Sequence, residues 1–323
     1  MLPMLPIFRP KVRPPILLGM VSTAPSLHYT ELALTSLFTH TPLVPDDTVI
    51  LIDNDGSAAD LAISHDPRIT RIVPHQPQGF ATNGNTLLGE ALRLGRDLIF
   101  LNNDLIFSPK WLESLLACGD AIAIPATNRE FQYALAIVKP GEDRTTSVFT
   151  LSPRMTLSDV ENHLHGFQAL AEFHTNQNIL LRVMLVLPFS CVRIPIAVTR
   201  EVGGFDESFG KGGGEDYDYC LRAIMAGFPI LLAGTSLILH FGGRSTWGIE
   251  NPDEIEAREY LFRTRFREKW GETLYKMLFL EQDMTSTDPE LGPLFHPAHL
   301  AEFIARLLGR ENIPQPTTSM PLG

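Results

Sequence analysis

Short apolar runs alternate with segments of helical spacing through the first 125 residues of the chain. Residues 16–21, 49–52, 69–73, 98–101 and 121–124 are largely aliphatic and bounded by turn-forming residues. Runs of this length, rich in Ile, Leu and Val, predict buried strands. Between them, residues 26–38, 58–64, 85–94 and 109–117 place apolar positions at helical intervals and predict helices. Strand–helix alternation predicts an α/β class, with a mostly parallel sheet covered by helices on both faces. Such sheets bind ligands at the carboxyl ends of their strands. Asp53 and Asp104 fall at two of those ends.

The pattern then changes. Residues 126–185 are less regular, with two mixed stretches at 131–139 and 157–174, and are expected to form an insertion. Residues 185–194 return to a strand pattern, a helical turn follows at 196–202, and 230–232 with 236–240 predict two closing strands. A charged amphipathic helix is expected at 254–270 and a second helix at 299–308. Residues 1–14, rich in proline, read as an irregular arm, and residues 313–323 as a disordered tail. The expected boundaries are 15–250 for one α/β domain, divided near residue 125, and 251–312 for C-terminal helices.

The densest chemistry lies where Gly203-Gly204-Phe205-Asp206-Glu207-Ser208-Phe209 runs into Gly214-Glu215-Asp216-Tyr217-Asp218-Tyr219-Cys220-Leu221-Arg222. Four acids, Asp206, Glu215, Asp216 and Asp218, surround a glycine-rich bend that enters an amphipathic helix. Acids favour the positive end of a helix, so a charged helix start explains the cluster. A general base or a metal site explains it equally, because crowding and burial tune carboxyl pKa values. Spacing alone does not rank Glu215, Asp216 and Asp218.

Composition narrows the function classes. The chain has 323 residues, with 26 Lys plus Arg against 37 Asp plus Glu and a net charge of −11. Without a clustered basic surface, nucleic-acid binding is disfavoured. Cys118, Cys191 and Cys220 are too widely spaced for a zinc motif, and each is expected to fill a small buried site. No apolar run reaches the length of about 18 residues that a membrane helix needs. The first fifteen residues hold five prolines and lack the form of a signal peptide, so a cytoplasmic location is expected. A Walker loop fails, since Gly210-Lys211 is followed by Gly212.

Several of these segments together resemble family 2 glycosyltransferases, nucleotide-sugar-dependent enzymes of the GT-A fold. Gly203-Gly204-Phe205-Asp206-Glu207 with Gly214-Glu215-Asp216-x-Asp218-x-Cys220-x-Arg222 resembles the acceptor-side motif of that family. Val49 to Ser57, ending Asp53-Asn54-Asp55-Gly56-Ser57, looks like its Asp-Asn-x-Ser strand end. Gly79-Phe80-Ala81 with Asn85 looks like its Gly-Phe-Ala…Asn turn, and Asn102-Asn103-Asp104 like its Asp-x-Asp segment with Asn in first place. His240-Phe241-Gly242-Gly243-Arg244-Ser245 is similar to its His-x-x-Gly-x-Ser segment. The match covers roughly residues 15–270 and keeps the family order. Phe266 to Gly271 also resembles a helix that often follows the family's catalytic domain.

The resemblance implies a fold and a set of roles. The fold is GT-A, a Rossmann-like, mostly parallel sheet flanked by helices, with a C-terminal helical extension. The activity is inverting transfer of a hexosyl or deoxyhexosyl group from a UDP- or dTDP-sugar to a hydroxyl of a glycan or lipid-linked acceptor, as in polysaccharide biosynthesis. Asp216 is implied as the base, with Glu215 beside it. Thr23, Asp53, Asp55, Asn85, Asn102, Asn103 and Ser245 are implied on the nucleotide sugar. Asp104 and His240 would hold Mn²⁺ or Mg²⁺, an imidazole beside a carboxylate suiting Mn²⁺. Trp247 and Asp218 are expected on the acceptor, within a half formed by residues 126–250. Two rivals share the sheet. One is a sugar-1-phosphate nucleotidyltransferase, disfavoured because Ser22-Thr23-Ala24-Pro25 has neither glycine nor a cation. The other is a non-catalytic carbohydrate-binding protein.

Overall fold

The computed structural model describes residues 13–131, 133–137, 147–161, 164–177, 179, 181–244, 250–281 and 288–322. Along the first part, strand β1 (Ile16–Ser22) leads to helix α1 (Leu27–His40), β2 (Thr48–Asp53), β3 (Ile69–Ile72), α2 (Phe80–Leu94), β4 (Asp97–Leu101), β5 (Leu105–Ile106), the short α3 (Glu113–Leu116) and β6 (Ile122–Thr127). A hairpin of β7 (Tyr133–Ile137) and β8 (Ser147–Leu151) follows, then α4 (Leu157–Glu161) and α5 (Leu164–Thr175). The chain re-enters the sheet through β9 (Arg182–Met184) and β10 (Cys191–Ile194), then α6 (Ile196–Val202), α7 (Glu215–Met225) and β11 (Ile230–His240). It ends with α8 (Pro252–Tyr275), broken at Gly271, and α9 (Leu300–Arg310).

The sheet runs β3-β2-β1-β4-β10-β6-β11-β5, with β9 also on β11. Strands β3, β2, β1 and β4 are parallel, as expected. Beyond β4 the sheet is mixed, because β10 inserts antiparallel between β4 and β6, and β6 then pairs parallel with β11. Alternate residues of β1 enter opposite cores. Leu17 joins Ile50, Ile52, Leu98, Phe100 and the buried faces of α2 and α7, while Leu18 and Met20 join Leu51, Ile99 and α1. Burial on both faces is why these strands read as continuous apolar runs.

Several expected elements differ. Residues 58–64 form two 3-10 turns, and 109–117 keep only the short α3. The strand expected over 185–194 is confined to Cys191–Ile194; Pro188, which has no N–H to give a ladder, lies in the lost half. The two closing strands are one, β11, with a register shift between Ala233 and Leu237. All three cysteines are buried and unpaired.

The end of the chain also departs from its expectation. Where disorder was anticipated, Met320 pairs with Gly203: its N–H donates to the Val202 carbonyl, and its own carbonyl accepts from Gly204 N–H. A Cβ on Gly203, at φ +72°, would come within 1.8 Å of the Met320 oxygen, so glycine is required there.

Candidate active site

Asp104 and His240 are far apart in sequence but are joined by a short ladder. β5 pairs antiparallel with β11, His240 opposite Leu105, and Phe241 N–H donates to the Asp104 carbonyl. This sets His240 Nε2 at 3.2 Å from Asp104 Oδ1. Nε2 is buried and finds no aligned hydrogen-bond partner among the described residues. Asn128, fully buried, fixes the strand end: its Oδ1 accepts from His240 N–H and its Nδ2 donates to the Ser152 carbonyl. Burial would push the Asp104 carboxyl up, but His240 and the Arg244 backbone N–H outweigh it and hold it below the usual range. A buried carboxylate oxygen and an imidazole nitrogen 3.2 Å apart, with no aligned hydrogen bond on the nitrogen, are close enough to share a divalent cation with mixed O and N ligands. No third His, Cys, Asp or Glu joins them among the described residues. A cation there takes its remaining ligands from a ligand's oxygens and water.

At the other strand ends, the expected residues divide. Asp55 is exposed. Burial would raise its carboxyl, but hydrogen bonds from Ala24 N–H and from Ser57 hold it below the usual range. Thr23, half-buried, faces Ser26 across a hydroxyl contact. Asn102 is half-buried, and its N–H donates to the Ser190 carbonyl. Asp53, by contrast, is fully buried, accepting from Ala58 N–H and pairing with Arg71. A base or ribose reaches it only if that pairing opens. Asn54, which sequence reasoning passed over, exchanges two hydrogen bonds with the Gln78 backbone and orders the loop before α2. That loop borders a cavity of about 410 Å³ lined by Ile52, Ile72, Pro74, His75, Gln76, Gln78 and Thr86.

Two asparagines expected on the nucleotide sugar are spent inside the protein. Asn85 accepts from Phe205 N–H and donates to the Phe205 carbonyl and to Glu207, clasping α2 to the acidic motif. Asn103 Nδ2 donates to Ser26 and Thr30 and pins α1 to the β4–β5 turn. Their amide nitrogens are thereby occupied. Ser245 and Trp247 lie outside the described residues.

The acidic motif is sorted by helix geometry. In α7, residues two apart point to opposite sides, and residues four apart share one. Asp218 is fully buried and bonded to Arg222, Trp270 Nε1 and Lys269. This corrects its expected place on an acceptor, since none of its surface is exposed. Lys269 also pairs with Asp206, whose carboxyl falls to about 2: burial pushes it up, but Lys269 and Ser208 outweigh that. Lys269 and Trp270 carried no site signal in the sequence. Asp216 takes the other side, half-buried, accepting from Phe189 N–H and from Tyr217 N–H. Glu215 is buried and accepts from Gly213 N–H.

Burial raises both Glu215 and Asp216 above the usual carboxyl range, and the charge of Asp216 raises Glu215 further. An acid with a raised folded pKa stabilises the fold at low pH and loses that contribution as pH rises through the folded value. Glu215→Gln keeps an oxygen for Gly213 and cannot ionise. Its melting temperature should match wild type near pH 4 and exceed it near pH 9, by a few degrees for about 1 kcal/mol. Melting curves with no such pH-dependent gap would refute the burial argument.

No family model matches the chain. It is 28% identical over 212 residues to the pre-mycofactocin glycosyltransferase of Mycobacterium tuberculosis, covering 61% of this chain and 36% of that protein. It is 28% identical over 223 residues to the validoxylamine A glucosyltransferase of Streptomyces hygroscopicus subsp. limoneus, covering 65% of this chain and 46% of that one. The chain therefore spans less than half the length of these relatives. Among solved structures, GalNAc-T7 with UDP, GalNAc and Mn²⁺ superposes over 93% of this chain and 55% of that one, with a TM-score of 0.55 and 14% identity. The fold is GT-A, as the order of motifs implied.

Proposed function

We propose that this protein is a glycosyltransferase that moves a sugar from a nucleoside-diphosphate donor to an acceptor hydroxyl with inversion. The observation that carries the reading is the buried Asp104–His240 pair at the carboxyl edge of a GT-A sheet, its imidazole nitrogen 3.2 Å from the carboxylate with no aligned hydrogen bond among the described residues. The glycosyltransferase relatives and the UDP- and Mn²⁺-bound structural neighbour support it. Asp104 and His240 would hold Mn²⁺ or Mg²⁺, which, when bound, offsets charge on the diphosphate. Thr23, Asp55 and Asn102 would line the donor side, with Asp53 joining them only where its pairing with Arg71 opens. Asp216 accepts the acceptor's proton as the new C–O bond forms at the anomeric carbon and the bond to the diphosphate oxygen breaks. A raised pKa brings this carboxyl closer to the pH at which a base works best. Glycans and lipid-linked glycans are the acceptor classes the reading favours, in a cytoplasmic setting.

Calorimetry with UDP, dTDP and GDP, with and without Mn²⁺, tests the site. Asp104→Ala and His240→Ala should each abolish most of the Mn²⁺-dependent gain in affinity, about tenfold or more. Unchanged Mn²⁺ dependence in both variants would remove the metal assignment. Nucleotide release from a donor sugar separates this reading from a binding protein of the same fold.

A further inference from the structure

Beside the Asp104–His240 pair, a tight turn carries an exposed arginine. Residues 127–131 are closed by Glu130, which accepts from Thr127 N–H and hydroxyl, and by Glu130 and Phe131 N–H donating to the Thr127 carbonyl. Asn128 bonds this turn to His240 N–H. The next residue, Arg129, is exposed and has no ion-pair partner among the described residues. Its guanidinium lies against Gly242, two residues past His240. A Cβ there would come within 2.5 Å of Arg129 Nη2, so the glycine leaves room for the cation. Burial raises the Tyr217 phenol and the Arg129 charge opposes it, so the guanidinium is within electrostatic reach of the residue next to Asp216.

Other cations are held differently. Arg71 pairs with Asp53, and Lys269 pairs with Asp206 and Asp218, while Arg244 donates to the Met155 carbonyl and lies over the Tyr29 ring with its Nε buried and unpartnered among the described residues. The Asp104 carboxylate adds negative charge where a departing diphosphate gains more. A divalent cation beside Asp104 leaves much of that charge uncompensated.

We propose that Arg129 contacts the donor diphosphate and neutralises charge on it as the sugar departs, a role that rests on the glycosyltransferase reading above. In the step it serves, the anomeric C–O bond breaks, both electrons pass to the diphosphate oxygen, and the guanidinium remains protonated. Arginine suits this task because its fork meets two phosphate oxygens at once.

Arg129→Gln and Arg129→Lys test it, with thermal melts as a control for folding. The Gln variant should bind whichever nucleoside diphosphate the wild type binds about tenfold or more weakly, while affinity for the bare nucleoside stays constant. Donor hydrolysis without acceptor should fall with transfer, and Lys should recover part of both. Unchanged diphosphate affinity in the Gln variant would overturn the proposal. So would a rise in acceptor KM alone with hydrolysis intact, which would assign the cation to an anionic acceptor. A wild type that binds no nucleoside diphosphate would instead remove the functional reading on which the proposal stands.

Discussion

Asp216→Asn should lower sugar transfer by about 10²–10⁴-fold, the usual worth of a positioned general base. The amide keeps the shape of the side chain and one of its two accepted hydrogen bonds, that from Tyr217 N–H; its NH2 replaces the oxygen that accepts from Phe189 N–H, so melting curves check the fold while donor affinity should be retained. The loss should fall on kcat more than on donor KM, because the missing interaction forms as the acceptor proton moves. The wild-type rate should rise with pH through a value above the ordinary carboxyl range, since burial raises Asp216 and only its ionised form accepts a proton. The variant should lose that limb. Glu215→Gln should cost less, because its oxygen already faces Gly213 N–H inside the protein. Steady-state kinetics against pH decide the matter. Full transfer by Asp216→Asn, or an equal loss in Glu215→Gln, would take the base assignment from Asp216.

Arg222→Met should cost about 3–5 kcal/mol of stability, the penalty for stripping a partner from a buried charge. Arg222 and Asp218 are both fully buried and joined at 2.8 Å. The guanidinium also donates to the carbonyls of Val202 and Gly204 and reaches that of Thr318. Methionine fills similar volume but satisfies none of these acceptors. Lys269 and Trp270 remain on Asp218 and limit the damage. Urea unfolding should show a lower midpoint with an unchanged slope. A loss below about 1 kcal/mol would mean that the network is worth no more than a surface ion pair.

The central strands were legible because burial on both faces leaves an apolar run with little else to confuse it. Residues 16–21, 49–52 and 98–101 sit inside β1, β2 and β4, and 196–202 matches α6. The insertion of β10 between β4 and β6 was not legible, since strand order depends on pairing between distant segments. The same limit applies at the site. Asp104 and His240 were joined in the sequence only by resemblance, and the β5–β11 ladder supplies the reason they meet. Asn85 and Asn103 looked like ligand contacts because asparagine serves either purpose, and only the distant partners decide. Asp218 was the avoidable misreading. Its i,i+4 relation to Arg222 and its i,i+2 offset from Asp216 already set the two acids on opposite sides of α7.

Helix α8 holds the acidic motif through Arg265 on Ser208, Lys269 on Asp206 and Asp218, and Trp270 on Asp218. These contacts make residues 206–218 and 258–270 a single unit of inheritance. A recombination crossover between the two would pair a motif from one parent with counter-ions from another. Asp218 would then be buried opposite whatever side chain the second parent carries at 269 and 270. Shuffled progeny should survive when both segments travel together and fail when they are parted, however well their sheets match.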